Sequence, residues 1–414
     1  MGPLWKVLPD GWQAGQVKNA ATVTLGKMLQ SKDSGSDVCA PYMRAANVQP
    51  DGVLALDDVN EMWFGERELE QLSIRAGDVV VVEGGQGGFG RAAYVDQDLP
   101  GWGFQNSINR LRPIGDFDGR FIAFYLIALR ASGFIRAYSN VVSMPHLTAE
   151  KLARITIPLP PVEVQRAIAD YLDPETTHID TLIEEQQRLI DMLRERRRAV
   201  VDGAVRRGVG NVRLSDSGDP LVGDVPEDWS VVAVRRVATL LDSKRIPLSA
   251  EVRAERPGRY PYYGATSVID YVDDYLFDEQ LVLVAEDGFG LLYRSKPIAL
   301  HVEGRIWVNN HAHVLRPLGV PARLLAARIE AESLVPHVSG SRQPKLTADA
   351  LMAMRISFPP ENQWGEILAV LDKETASIDT LLAETERFIE LAHERRTALI
   401  TAAVTGQIDV REAV

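Results

Sequence analysis

Apolar residues recur at alternating three- and four-residue steps along two long stretches of this chain. In the first they are Ile168, Leu172, Ile179, Leu182, Leu189, Leu193 and Val200, passing through polar Glu175, Gln186 and Arg196. In the second they are Ile367, Leu371, Ile378, Leu381, Phe388, Ala392 and Leu399, with Glu374, Thr385 and Arg395 at the polar steps. The spacing is heptad-like and predicts two long helices paired as a coiled coil, whose polar steps fix register at some cost in stability. Each stretch starts after a double proline, Pro160-Pro161 or Pro359-Pro360, where the ring stops any earlier helix. Roughly 40 helical residues at about 1.5 Å each make a rod on the order of 60 Å, and the natural partner of each rod is the other.

The two stretches are copies. From Leu147 and from Leu346 the chain aligns with itself without a gap at a constant offset of 199 positions, keeping Leu-Thr-Ala, Pro-Pro, Leu-Asp, Glu-Thr, Ile-Asp-Thr-Leu and Glu-Arg-Arg in register. A second phrase repeats further upstream: Leu8-Pro-Asp-Gly-Trp-Gln before Val17 and Val225-Pro-Glu-Asp-Trp-Ser before Val234. The repeating unit is therefore a globular body followed by a helix, and the two bodies have diverged in length.

In the first body Pro41 to Val48 predicts a strand ending at the turn Pro50-Asp-Gly52, and Val79-Val-Val-Val82 a buried strand by its β-branched run. The loop Glu83 to Arg91, a strand at Ala92 to Val95, a further segment Ser107 to Pro113 and a helix from Gly119 to Ser132 follow. The second body repeats the plan with Tyr260 to Thr266, a strand from Gln280 to Ala285, the loop Glu286 to Gly290, Asn309 to Pro317, and a helix near Ala322 to Glu332. Short strands separated by turns, with one or two helices, predict an α+β fold for each body.

Bulk composition changes this picture little. At 414 residues, 46 % hydrophobic and 25 % charged, the chain is long enough for two to four compact units with an ordinary core. Cys39 is the single cysteine, which excludes an internal disulfide and a cysteine-rich zinc site. No apolar run approaches the roughly 20 residues of a membrane span, and the N-terminus lacks a signal-peptide pattern, so a soluble, cytoplasmic protein is expected. The net charge of −12 argues against nucleic acid at first sight, but residues 346–414 alone hold 6 basic and 12 acidic side chains. The bodies are nearer neutral and leave room for a basic face.

Signals for catalysis are weak. Gly85-Gln-Gly-Gly-Phe-Gly90 fits the dinucleotide spacing, yet Arg91 to Val95 looks like a strand, where such a site needs a helix. His311 and His313 would share a strand face but lack a third metal ligand. There is no phosphate loop ending in Lys-Ser or Lys-Thr and no Asn-Pro-Pro-aromatic segment, since the double prolines follow Leu159 and Phe358. No catalytic residues and no metal site are assigned. Candidate readers of nucleic acid are polar loop residues: Arg44, Asn47, Arg91, Gln105 and Asn106 in the first body, and Arg294, Asn309, Asn310, Ser341, Arg342, Gln343 and Lys345 in the second. Arginine can pair with guanine, and asparagine or glutamine with adenine, in the major groove.

The order of body, helix, body, helix resembles the specificity subunit of type I restriction-modification systems over nearly the whole chain. Pro9-Asp-Gly-Trp12 with Pro226-Glu-Asp-Trp229, Ala76-Gly-Asp-Val-Val80, Pro261-Tyr-Tyr-Gly-Ala-Thr266, Ser339 to Lys345, both Pro-Pro sites and both Ile-Asp-Thr-Leu helices carry it. The resemblance implies target recognition domains at 1–146 and 212–345, and helical spacers at 147–211 and 346–414 that pair antiparallel about a pseudo-twofold axis. Such a protein reads a bipartite, asymmetric site in double-stranded DNA and docks two methyltransferase subunits, with motor-nuclease restriction subunits joining for cleavage. It is not itself an enzyme and holds no cofactor; S-adenosylmethionine, ATP and magnesium belong to the partners, which methylate adenine and cleave DNA. The first body departs from the pattern at its final loop, Tyr138 to His146. The residues alone also leave open a scaffold whose two modules bind proteins or another ligand.

Overall fold

Val79–Val82 shows no hydrophobic alternation because both of its faces are covered. In the computed structural model, which describes residues 4–85, 88–138, 146–294, 297–340 and 342–410, all four valines are buried. Val79 and Val81 pack with Phe121, Ile122 and Leu129 of helix Gly119–Ala131, while Val80 and Val82 pack with Met43, Phe64 and Phe104 of a smaller sheet. The strand sits in a four-stranded antiparallel sheet ordered Ala21–Leu25, Ile108–Pro113, Val79–Val82, Ala92–Tyr94. The smaller sheet runs Asn60–Phe64, Val38–Met43, Gly103–Phe104, its last pair parallel.

The second body has the same topology. Its main sheet is Ala238–Leu240, Ala312–Pro317, Leu281–Ala285, Ala299–Val302. Val282 and Val284 face helix Ala322–Glu330, and Leu281 and Leu283 face Ile306 and Val308 of the smaller sheet. That smaller sheet has an extra strand: Val268–Val272, Pro257–Tyr263, Arg305–Val308, Phe277–Asp278.

One strand differs from expectation. It spans Val38–Met43, not Pro41 to Val48, because the Asn47 side chain bends the chain into a 3-10 turn at Ala45–Asn47. Asn47 Oδ1 accepts from the Arg44 amide (2.9 Å) and Nδ2 donates to the Ala55 carbonyl (2.8 Å).

The chain divides into two compact units, residues 1–187 with 387–414 and residues 188–386. The first long helix, Val162–Arg207, and the second, Glu361–Val404, each contribute to both. Each helix begins directly on its double proline: the Pro161 carbonyl accepts from the Val164 amide (2.9 Å), and the Pro360 carbonyl from the Gln363 amide (3.0 Å). The repeated tryptophan phrases close on the glycines that end these helices. Gly406, at φ +69°, leaves no room for a Cβ against Pro9 and Trp12 in the first unit, and Gly208, at φ +76°, lies beside Trp229 in the second.

The stripe of buried and half-buried residues on each long helix follows an eleven-residue period: Ile168, Ile179, Ile190 and Val201, then Ile367, Ile378, Ile389 and Ile400. Eleven residues in three turns is about 3.67 per turn, so on the second helix the expected heptad track drifts off the stripe, while on the first its apolar positions all stay buried or half-buried. On that track Ile168, Leu172, Ile179, Leu193, Ile367, Leu371 and Ile378 are buried and Leu182, Leu189 and Leu399 half-buried, but Leu381 and Phe388 are 46 and 43 % exposed. Thr176 and Thr375, off that track, and Thr385, one of its polar steps, are also buried, each hydroxyl donating to the carbonyl four residues earlier (2.8, 2.6 and 2.7 Å).

Within each unit the two helical stretches run antiparallel. In the first, Ile168 and Leu172 share a core with Ile400, Ala403 and Val404, and Asp180 meets Arg396. In the second, Ala204 and Val205 share a core with Ile367 and Leu371, and Arg197 meets Asp379.

Candidate nucleic-acid interface

Each body gathers three loops at the end of its central strand. In the second body the Glu286 amide donates to the His311 carbonyl (2.9 Å), the Leu346 amide to the Glu286 carbonyl (2.8 Å) and the Gly288 amide to the Pro344 carbonyl (3.0 Å). These bonds stitch the loop after Leu281–Ala285 to the turn at 309–311 and to the hairpin of Val338–Ser339 and Lys345–Leu346. Beneath them His313 is buried, its Nδ1 on Asp242 (2.6 Å) and its Nε2 on the Leu346 carbonyl (2.8 Å). Arg245 donates to Glu286 (2.6 Å) and to the Ala312 carbonyl (2.7 Å). Burial pushes the Glu286 carboxyl up, but hydrogen bonds from Arg245 and Lys345 outweigh it and hold the group below the usual glutamate range.

The first body builds the same junction with other letters. The Glu83 amide donates to the Ser107 carbonyl (2.8 Å) and the Leu147 amide to the Glu83 carbonyl (2.7 Å). Asn109 takes the place of His313, donating through Nδ2 to the Leu147 carbonyl (2.8 Å). His146, in the place of Lys345, lies 3.0 Å from Glu83. Both junctions thus grip the first residue of the repeated Leu-Thr-Ala phrase, and Thr148 and Thr347 then cap the short helices that follow.

The candidate readers fall into two groups. Asn310, Arg342 and Gln343 are exposed, and among the described residues their side chains have no hydrogen-bond or ion-pair partner. Gln105 and Asn106 are half-buried on the matching turn of the first body, and Lys345 is exposed but paired with Glu286 (2.9 Å).

The others are committed to the scaffold. Asn47 and Asn309 are buried, and Asn309 Oδ1 accepts from the His311 amide (2.8 Å). Arg44 pairs with Asp58, and Arg91 reaches the Val48 carbonyl (3.4 Å). Arg294, at φ +50°, donates to the Glu330 carbonyl (2.6 Å) and to that of Glu332, closing the end of helix Ala322–Glu330. Ser341, residues 86–87 of the glycine-rich loop and 139–145 of the first body's final loop lie outside the described residues. That glycine-rich loop leads into strand Ala92–Tyr94, the wrong element for a dinucleotide site.

Asp242, Glu286 and His313 bring ligand atoms within 4.8 Å of one another, a grouping the sequence hides because the three are far apart in the chain. Arg245 already supplies the cation there, bonding both carboxylates. His311 lies on the turn before strand Ala312–Pro317, exposed and 2.8 Å from Asp287, so the two histidines do not share a strand.

On the long helices the polar partners are not Arg196 and Arg395, which are exposed, but their neighbours. Arg396 grips Asp180 through Nε and Nη2 (2.8 and 3.0 Å), and Arg197 grips Asp379 in the same way (2.7 and 3.2 Å). The duplication maps one pair onto the other. Both partners lie in the phrases that repeat most faithfully, Ile-Asp-Thr-Leu and Glu-Arg-Arg, which was the signal available in the sequence.

The family model described as "Type I restriction modification DNA specificity domain" matches residues 9–191 and 226–387. The chain belongs to that family. A putative type I restriction enzyme specificity subunit of Haemophilus influenzae is 34 % identical over 141 residues, 34 % of this chain and 36 % of the relative, so the match spans about a third of that protein's length. The MjaVIII specificity subunit of Methanocaldococcus jannaschii is 22 % identical over 70 % of each chain. A chain from a solved type I R-M system has a TM-score of 0.69 at 14 % identity, covering 98 % of this chain and all of that one, which shows a shared fold. Specificity subunits are non-catalytic, in keeping with family membership. No helix among the described residues is long and apolar enough to cross a membrane.

Proposed function

We propose that this specificity subunit reads a bipartite, asymmetric duplex target, the body within 1–146 taking one half-site and that within 212–345 the other. The helical segments at 147–211 and 346–414 space the half-sites and dock two methyltransferase subunits, with motor-nuclease subunits joining for restriction. S-adenosylmethionine, ATP and magnesium serve those partners. The observation that carries the reading is one scaffold holding two different sets of loop side chains, half-buried Gln105 and Asn106 in the first body and exposed Asn310, Arg342 and Gln343 in the second, since base contacts give sequence specificity while a common frame gives position. Selection from random-sequence duplexes, using the full chain with its methyltransferase partner, is expected to enrich a split motif with unlike halves. Enrichment of no split motif overturns the proposal.

A further inference from the structure

The second body displays two aromatic rings where the first tucks one away. Phe289 and Tyr293 are 53 and 76 % exposed, and their rings lie with centroids 6.3 Å apart and planes 24° from parallel. The segment that presents them is anchored at both ends. Leu291 is buried in the core, Gly288 is tied to Pro344, and Arg294 turns the chain left-handed while its guanidinium holds the carbonyls of Glu330 and Glu332. In the corresponding loop of the first body Phe89 is half-buried against the main core, and Arg130 donates to its carbonyl (3.0 Å).

Exposed rings held this firmly suit a surface that supplies something to stack on. Beside them the hairpin carries Arg342, a cation with no carboxylate partner among the described residues, and Gln343, while the adjoining turn carries Asn310. A free guanidinium complements a phosphate, and amide side chains complement base edges. An apolar wedge next to such groups can enter a base step and part its stack.

We propose that Phe289 and Tyr293 form a wedge that unstacks a base step in the half-site read by the second body. This deepens the proposed DNA reading and rests on it.

The test uses the full chain with its methyltransferase partner and duplexes carrying 2-aminopurine in turn at each position of that half-site other than the methylated adenine. Binding is expected to raise fluorescence several-fold at one step. The double variant Phe289→Ala/Tyr293→Ala should lose the rise and about tenfold in affinity for the target, whereas Tyr293→Phe keeps both; exposed rings can be truncated without opening the core. A wild-type complex with no rise at any position overturns the wedge while split-site selection still stands. An unchanged rise in the double variant, or loss of methyltransferase binding with DNA behaviour intact, overturns it as well. If no split motif is selected, the failure belongs to the bipartite reading and the wedge falls with it.

Discussion

The two bodies share a strand order and a junction, yet they fasten their main helix differently. In the first, Tyr125 donates its hydroxyl to the Thr156 carbonyl (2.7 Å), a neutral bond, and burial pushes the phenol pKa up. In the second, the buried Arg328 donates to the Ser357 carbonyl (2.8 Å) and hydroxyl (2.9 Å) and pairs with Glu332, while burial presses its pKa down. The helical ion pairs differ likewise. The Arg396 side chain is 5 % exposed and also donates to the Asp51 carbonyl (2.8 Å), whereas Arg197 is 42 % exposed. Duplication preserved which positions interact and left the surroundings free to change, so equal contacts carry unequal energies.

Loss of the buried anchor should matter most. Arg328→Met leaves buried Glu332 only the more distant Arg206 (4.0 Å) as a partner and should destabilise the second unit by about 3 to 5 kcal/mol, against about 1 kcal/mol in the first unit for Tyr125→Phe. Hydrogen exchange at Leu281–Ala285 and Val79–Val82 reads the units separately; equal losses would erase the contrast. Next, Asp180→Asn should cost about 2 kcal/mol because its partner is buried, while Asp379→Asn should stay within about 0.5 kcal/mol. Denaturant titration of both variants checks this, and a larger loss from Asp379→Asn would reverse the ranking.

A weaker effect is one of pH. Glu286 is depressed in the folded protein, so its contribution is present above the ordinary glutamate range and fades as pH falls through the lower folded value. Protection of the Leu346 amide, bonded to the Glu286 carbonyl, relative to its intrinsic exchange rate should fall on that descent, and Glu286→Gln should flatten the dependence. A wild-type profile that is already flat would show that the Glu286 carboxylate does not hold the junction.

Much of the fold was legible because it depends on local signals. The Val79 to Val82 run, both double prolines and the repeated phrases marked strands, helix starts and the duplication. The buried stripe of the long helices was less legible, since seven- and eleven-residue periods agree for the first turns and separate only by Leu381 and Phe388. Loop residues were hardest. Asn47, Asn309 and Arg294 have the side chains of DNA readers but satisfy backbone groups of their own fold, and composition cannot tell these uses apart. Phe289 and Tyr293 gave no signal in the sequence, because whether a ring is buried is settled by tertiary packing.

Whether each body reads its own half-site can be decided by one selection. Wild-type chain and the variant Asn310→Ala/Arg342→Ala/Gln343→Ala, each with the methyltransferase partner, would be presented with the same random duplex library. The variant is expected to keep one half of the split motif and to become degenerate in the other. Loss spread equally over both halves, or a motif unchanged throughout, would refute the division of the target between the bodies.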